Sequence, residues 1–242
     1  MKKVLLIYSG GLDSTTCLFW ALDNFKEVHT LTFSYHQRHS IEVKYSYETL
    51  KIAQRIKHKP VHSHYFDIDL SKIGGSALTD LSINLPKQRD KQEMSLEIPS
   101  TYVPFRNGIF LSIAGAFAEK NSIFNIVGGW NIVDYSGYPD CREDFLKSFE
   151  KTLNYGTKAG VTGNKFSILA PLLKMKKSQI IKFGKKHEAD YSHAYSCYSG
   201  DEMPCGECDA CILRAKGFQE AGVEDDFLKR IKNKELSVSK NS

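Results

Sequence analysis

No apolar run in this 242-residue chain is long enough to cross a bilayer. The best candidate, IFLSIAGAFA (109–118), falls well short of the roughly 20 residues that a spanning helix needs. Lys2 and Lys3 precede only the short apolar run Val4–Tyr8, less than the roughly 7–15 residues of a signal-peptide core. These absences predict a cytoplasmic protein with no membrane partner. Charge of one sign is also scarce. The 33 Lys and Arg against 28 Asp and Glu leave +5, too little to argue for direct nucleic-acid binding, although it would not repel a phosphorylated ligand. The chain has six cysteines, but they are not spread as a disulfide framework, because four crowd near the C-terminus. Internal repeats and low-complexity tracts are missing. So are the two best-known phosphate-loop spellings. There is no G-x-x-x-x-G-K-S/T, which argues against γ-phosphate transfer, and no G-x-G-x-x-G dinucleotide fingerprint.

What is present is an ordinary soluble composition, 41% apolar and 25% charged, in a chain long enough for one full core. Strand and helix patterns alternate. KVLLIY, VHTLTFSY (28–35), HSHYFDIDL (62–70), SIFNIVGG (122–129) and KFSILAPL (165–172) read as strands. Helical patterns begin at Asp13, His39, Asn107, Arg142 and Lys177. This order predicts an α/β fold, a doubly wound and mostly parallel sheet with helices on both faces. The expected organisation is an α/β domain over 1–190, a small metal-binding segment over 191–225 and a polar tail over 226–242 whose end frays. Two stretches without a clean period, 74–100 and 154–165, read as variable segments or lids.

The first strand runs into IYSGGLDSTTCLF (7–19). A strand that turns through two glycines into a helix leaves backbone N–H groups at the helix N-terminus, where the dipole favours an anion. Gly10 and Gly11 allow close approach of a phosphate, Ser9 and Ser14 add hydroxyls, and Asp13 can cap the helix or hold a phosphate-bridging metal ion. The spelling S-G-G-x-D-S resembles the PP-loop of the N-type ATP pyrophosphatases, which implies an adenine nucleotide alpha hydrolase-like, Rossmann-like fold. That superfamily grips the pyrophosphate of ATP and cleaves between the α and β phosphates.

Near the C-terminus, Cys197, Cys205, Cys208 and Cys211 are spaced C-x7-C-x2-C-x2-C. Four thiolates suit tetrahedral zinc in a closed, structural site. An iron–sulfur cluster is the competing occupant. Cys17 reads as a core residue, and Cys141 as a contact or half-buried residue in a polar loop. Three stretches read as substrate-choosing. In YHQRHSIE (35–42), Arg38 lies past a strand end. STYVPFRNGIF (100–110) places Arg106 and Asn107 at a helix start, where Arg can grip a phosphate or carboxylate. GGWNIVDYSGYPDCRED (128–144) gathers Asp134, Ser136, Tyr138, Asp140 and Arg142, a set suited to a flat heterocycle with N–H donors. In KMKK (174–177), only Lys177, at a helix start, reads as a phosphate contact.

Taken together, SGGLDSTT, HQRHSIEV, STYVPFRN, YSGYPDCR and CYSGDEMPCGECDACILRAKGF resemble the 7-cyano-7-deazaguanine synthase (QueC) family from about residue 3 to 222. The resemblance implies a ligase that joins 7-carboxy-7-deazaguanine and ammonia into the nitrile on the queuosine route. It implies ATP and Mg2+ as well as one structural Zn2+ held by Cys197, Cys205, Cys208 and Cys211. It assigns ATP to Tyr8, Ser9, Gly10, Gly11, Leu12, Asp13, Ser14, Thr15, Thr16, Cys17 and Leu18. Lys177, Arg106 and Asp13 would carry catalysis. Arg38, Arg106, Asn107, Asp134, Ser136, Tyr138, Asp140 and Arg142 would bind the substrate. A homodimer is also implied. Ile132 and Phe105 depart from the family pattern, which bears on substrate contacts. A PP-loop enzyme that thiolates tRNA, with the cysteines around a cluster, is the alternative reading.

Overall fold

Val4 and Leu6 pack into one hydrophobic cluster and Leu5 into another, because successive strand side chains point to opposite faces of a sheet. They belong to β1 (Lys3–Ile7), the middle strand of five. The computed structural model describes residues 2–37, 41–89, 94, 97–133 and 138–239. β2 (Glu27–Ser34), β3 (Val61–Asp67), β4 (Asn125–Gly128) and β5 (Ser167–Leu169) complete the sheet in the order β3-β2-β1-β4-β5. Every pairing is parallel. The chain therefore builds outward from β1 to β3 and then crosses back to β4, so the strand order reverses at β1. Ligands of open α/β sheets bind at the carboxyl ends of strands at such a point.

α1 (Leu12–Asn24) and α6 (Lys177–Lys186) cover one face through Leu18, Phe19, Leu22, Ile180 and Ile181. α3 (Arg106–Lys120) and α4 (Glu143–Gly156) cover the other through Phe110, Leu111, Leu146 and Leu153. α2 (Ile41–Lys57) connects β2 to β3 and presses Ser46 against the turn after β1. Among the described residues no helix is long and apolar enough to cross a membrane.

The C-terminal segment packs around its own small core of Tyr195, Cys197, Cys208, Cys211 and Phe227. α7 (Asp209–Ala221) carries Arg214, whose Nε and Nη2 donate to both oxygens of Asp225 at 2.5 and 2.7 Å, while Nη1 donates to the Ala194 carbonyl at 2.6 Å. The described part of the polar tail is helical. Residues Asp226–Ser239 form α8, because Phe227 is buried against Tyr195 and Tyr45 and Asp226 pairs with Lys185.

Neither irregular stretch is a free lid in its described part. The segment after residue 74 is fastened to the cysteine segment. Lys87 bridges to Cys208, Gln88 N donates to the Glu207 carbonyl at 2.8 Å, and Arg89 forms an ion pair with the buried Asp209. In 154–165, α5 (Lys158–Val161) is tied to α3 by Ala159 N, which donates to Glu119 Oε1 at 2.8 Å, and the Asn154 amide holds both the N–H and the carbonyl of Phe166.

Candidate active site

The turn after β1 is built around its two glycines. Gly10 has φ +86°, and a Cβ there would lie 2.6 Å from that of Ser46. Ser14 Oγ accepts from Gly10 N and donates to the Gly11 carbonyl, each at 3.1 Å, and Gly11 N donates to Ser9 Oγ at 3.2 Å. α1 then starts at Gly11 without a side-chain cap, so its positive end faces the crevice. β4 closes in from the side: a Cβ on Gly129 would come within 3.0 Å of the Asp13 and Ser14 backbone.

Asp13 is neither a helix cap nor free. Lys177 Nζ donates to its Oδ1 and Oδ2 at 2.8 and 2.9 Å. Gly217 of α7 makes room for this lysine, since a Cβ there would meet Lys177 Cγ at 2.5 Å. Asp13 and Lys177 line one cavity of about 280 Å³ that opens at the carboxyl ends of the strands. Tyr8, Ser9, Gly11, Leu12 and Ser14 border it at the turn. Arg106, Asn107, Trp130 and Tyr138 border it across the way.

Arg106 opens α3 and donates to the Tyr35 hydroxyl at 3.2 Å. Burial works against its charge, but Tyr35, Tyr138 and Asp140 outweigh burial and hold the guanidinium firmly protonated. It is thus a fixed cation in a partly dry cavity. Asn107 is held on three sides. Its N–H donates to Asp140 Oδ2 at 2.9 Å, its amide nitrogen donates to Cys141 Sγ at 3.4 Å, and its amide oxygen accepts from Trp130 Nε1 at 3.3 Å. Tyr138 shares a hydrogen bond of 2.9 Å with Thr101. Cys141 borders the cavity, but burial and the neighbouring Asp140 push its thiol up to about 12, which makes it a poor nucleophile.

Of the other expected residues, some are off the cavity wall and some are outside the described part of the chain. Arg38, Asp134 and Ser136 lie outside the described residues. Asp140 is buried behind Asn107 rather than on the cavity wall, and its Oδ1 has no hydrogen-bond partner. Arg142 is exposed at the start of α4, away from the cavity. Thr16, Cys17 and Leu18 are fully buried, Thr16 against the Tyr191 hydroxyl at 2.7 Å and the other two in the core. Phe105 takes a left-handed φ of 54° and lays its ring over Gly108, where a Cβ would meet it at 2.3 Å. Neither Phe105 nor Ile132 borders the cavity.

Sequence reasoning did not single out every residue of the cavity wall, and one of those it missed is a carboxylate. Glu42, in the first turn of α2, faces the glycine turn, and a Cβ on Gly11 would lie 4.0 Å from its Oε1. Burial pushes its carboxyl up to about 7, and Arg106 pulls the other way. Its only sequence signal was its place at the end of YHQRHSIE.

The four cysteines come together beside the same cavity. The sulfurs of Cys197, Cys205, Cys208 and Cys211 all lie within 4.8 Å of one another. Backbone N–H groups of Ser199 and Cys205 point at Cys197 Sγ at 3.4 and 3.3 Å, and that of Cys208 at Cys205 Sγ at 3.4 Å. Such N–H groups stabilise thiolates, and Gly206 at φ +75° turns the chain between them. The donor set fits a tetrahedral metal ion.

The family model for the queuosine biosynthesis protein QueC matches residues 3–222. The chain belongs to the QueC family. Among curated QueC relatives, the 7-cyano-7-deazaguanine synthase of Trichodesmium erythraeum is 44% identical over 228 residues, 94% of this chain and 100% of the relative. That of Thermoplasma acidophilum is 47% identical over 224 residues, 93% of this chain and 90% of the relative. In structure, the QueC chain resembles a 4-thiouridine synthetase solved with RNA and bound ATP. The TM-score is 0.51 at 18% identity, over 90% of this chain and 53% of that one. The chain thus spans about half of that neighbour, and the likeness shows a shared fold.

Proposed function

We propose that this chain is an ATP-dependent 7-cyano-7-deazaguanine synthase, a ligase that converts 7-carboxy-7-deazaguanine and ammonia into the nitrile. The reading is carried by one conjunction, a PP-loop that shares a cavity with Arg106, Asn107 and Tyr138 in a chain 44% identical to named synthases. A carboxylate is a poor electrophile, and transfer of AMP to its oxygen makes it a good one. Ammonia then displaces AMP to give the amide. A second adenylation, now on the amide oxygen, followed by loss of AMP gives the nitrile.

The residues suit these roles. The N-terminus of α1, with Ser9, Gly10, Gly11 and Ser14, would take the pyrophosphate of ATP. Lys177 and Arg106 would stabilise the charge that gathers as the α–β bond breaks, Lys177 from the PP-loop side and Arg106 from the substrate side. Asp13 would hold Lys177 in place and, sharing its oxygens with that lysine, would be a ligand for a phosphate-bound Mg2+. Tyr138 would offer an aromatic face to the deazapurine. Asp140, through its hydrogen bond to the Asn107 backbone, would fix the wall that reads it. No nucleophilic side chain is required. Zn2+ at Cys197, Cys205, Cys208 and Cys211 would be structural, since four sulfurs leave no open position.

The experiment is incubation of the purified protein with 7-carboxy-7-deazaguanine, ammonium, ATP and Mg2+. Nitrile formation accompanied by AMP supports the reading. ATP hydrolysis without nitrile refutes the assigned substrate.

A further inference from the structure

At the opposite end of the sheet from the cavity, the first residues of β2 and β3 bring together Glu27, His29, His62 and His64. His29 and His62 are register partners on adjacent strands, and His64 lies one step further along the same face. The rings of His62 and His64 both lie against that of His29, with centroids 4.8 and 5.4 Å from it. His29 Nε2 lies 2.8 Å from Glu27 Oε1, and His29 Nδ1 lies 3.1 Å from His64 Nε2. The ligand atoms of Glu27, His29 and His62 all fall within 4.8 Å of one another. Nothing in the reaction above uses these side chains.

We propose that Glu27, His29 and His62 form a second metal site, for a late first-row divalent cation of the zinc class, with His64 supporting His29. Neutral imidazoles together with one carboxylate are the donors such ions prefer, whereas Mg2+ demands oxygen ligands. The placement is favourable in three respects. The side chain of His29 is only 12% exposed, so one donor is fixed by packing, whereas His62 is exposed and leaves an entry path. His64 is held by Phe117 of α3, which fixes the outer partner of His29. Glu27 brings a carboxylate oxygen within reach of both imidazoles, which supplies the anionic ligand. An entering cation replaces the hydrogen bond between Glu27 and His29, and His29 binds it through Nε2 as the neutral imidazole whose one proton sits on Nδ1, directed at His64 Nε2. Lys3 is the nearest opposing charge and sets the affinity below that of the cysteine site. The bound ion would tie the edge strand β3 to β2. The proposal does not depend on the synthase activity.

The test is a titration of the full chain with Co2+ and with Zn2+, comparing wild type with His62→Ala and with His29→Gln. His62 is exposed, so its removal leaves the fold intact, and circular dichroism checks both variants. The wild type is expected to bind one more equivalent than either variant. That equivalent should show the weak cobalt bands of a nitrogen–oxygen shell, without the intense sulfur-to-cobalt absorption of the cysteine site. Its affinity should fall at least about tenfold in His62→Ala, and zinc should raise the melting temperature of the wild type more than that of the variant. The proposal is overturned if both variants bind as many equivalents as the wild type, or if the additional equivalent shows sulfur ligation.

Discussion

Lys177 and Asp13, 164 residues apart in sequence, form a two-pronged ion pair across the mouth of the glycine turn. The pair joins the first turn of α1 to the first turn of α6, so two helix N-termini and one lysine converge where a pyrophosphate would sit. Removing the cation while keeping most of the stem, as in Lys177→Met, should lower kcat by about 10²–10³ through loss of charge stabilisation in the transition state. Asp13→Asn should keep the fold and lower kcat as well, because the lysine loses its anchor. Steady-state AMP release measures both. Unchanged kcat in Lys177→Met would remove this lysine from the chemistry.

Glu42 gives a pH prediction. Its carboxyl, near 7 in the folded protein against an ordinary 4.5, binds a proton more tightly when folded than when unfolded. The native state therefore carries the extra proton between pH 4.5 and 7. This group's contribution to stability falls as pH rises through that window, and the penalty is complete above 7. Glu42→Gln should stabilise the protein by about 1–3 kcal/mol at pH 8 and by almost nothing at pH 4. Denaturant melts at the two pH values decide it, and an equal gain at both would contradict the assignment.

Much of this was legible in the sequence, and the reasons are specific. The inner strands were short apolar or alternating runs with a turn or helix pattern after them, and SGGLDS needs only local geometry to make its turn. The four cysteines announce themselves by spacing. What the sequence could not show is long-range. The partner of Lys177 is set by how α6 docks, which depends on Gly217 having no side chain. Glu42 looks like any acid in a first helical turn until burial raises its carboxyl. The tail reads as polar because it contributes few apolar anchors, and one of them, Phe227, is enough to seat α8. Asp140 was expected to touch the substrate, but its backbone partner at Asn107 draws it behind the wall.

The cysteine segment should need a metal ion on its four sulfurs to stay folded. Chelation, or Cys208→Ser, should unfold the segment around Tyr195 and Phe227 and release the stretch that Arg89 fastens to Asp209. Limited proteolysis near residues 85–89 should speed up before global unfolding. Equal cleavage rates with and without chelator would show that the segment stands on its side-chain packing alone.

Arg214 and Asp225 form a buried pair with side chains only 10% and 7% exposed. Arg214→Met leaves the Asp225 carboxylate without its partner and should cost about 3–5 kcal/mol. The double variant Arg214→Met/Asp225→Asn should recover a good part of that loss. Urea unfolding of the two variants measures the difference, and equal destabilisation would mean that the pair itself is not what is lost.

The central claim is that ATP is cleaved between its α and β phosphates to activate a deazaguanine carboxylate. Its most direct test uses 7-carboxy-7-deazaguanine labelled with 18O in the carboxylate, with mass analysis of the AMP released. Transfer of label into AMP, alongside formation of the nitrile, is the predicted result. Nitrile formed with unlabelled AMP, or with ADP in its place, would contradict the account.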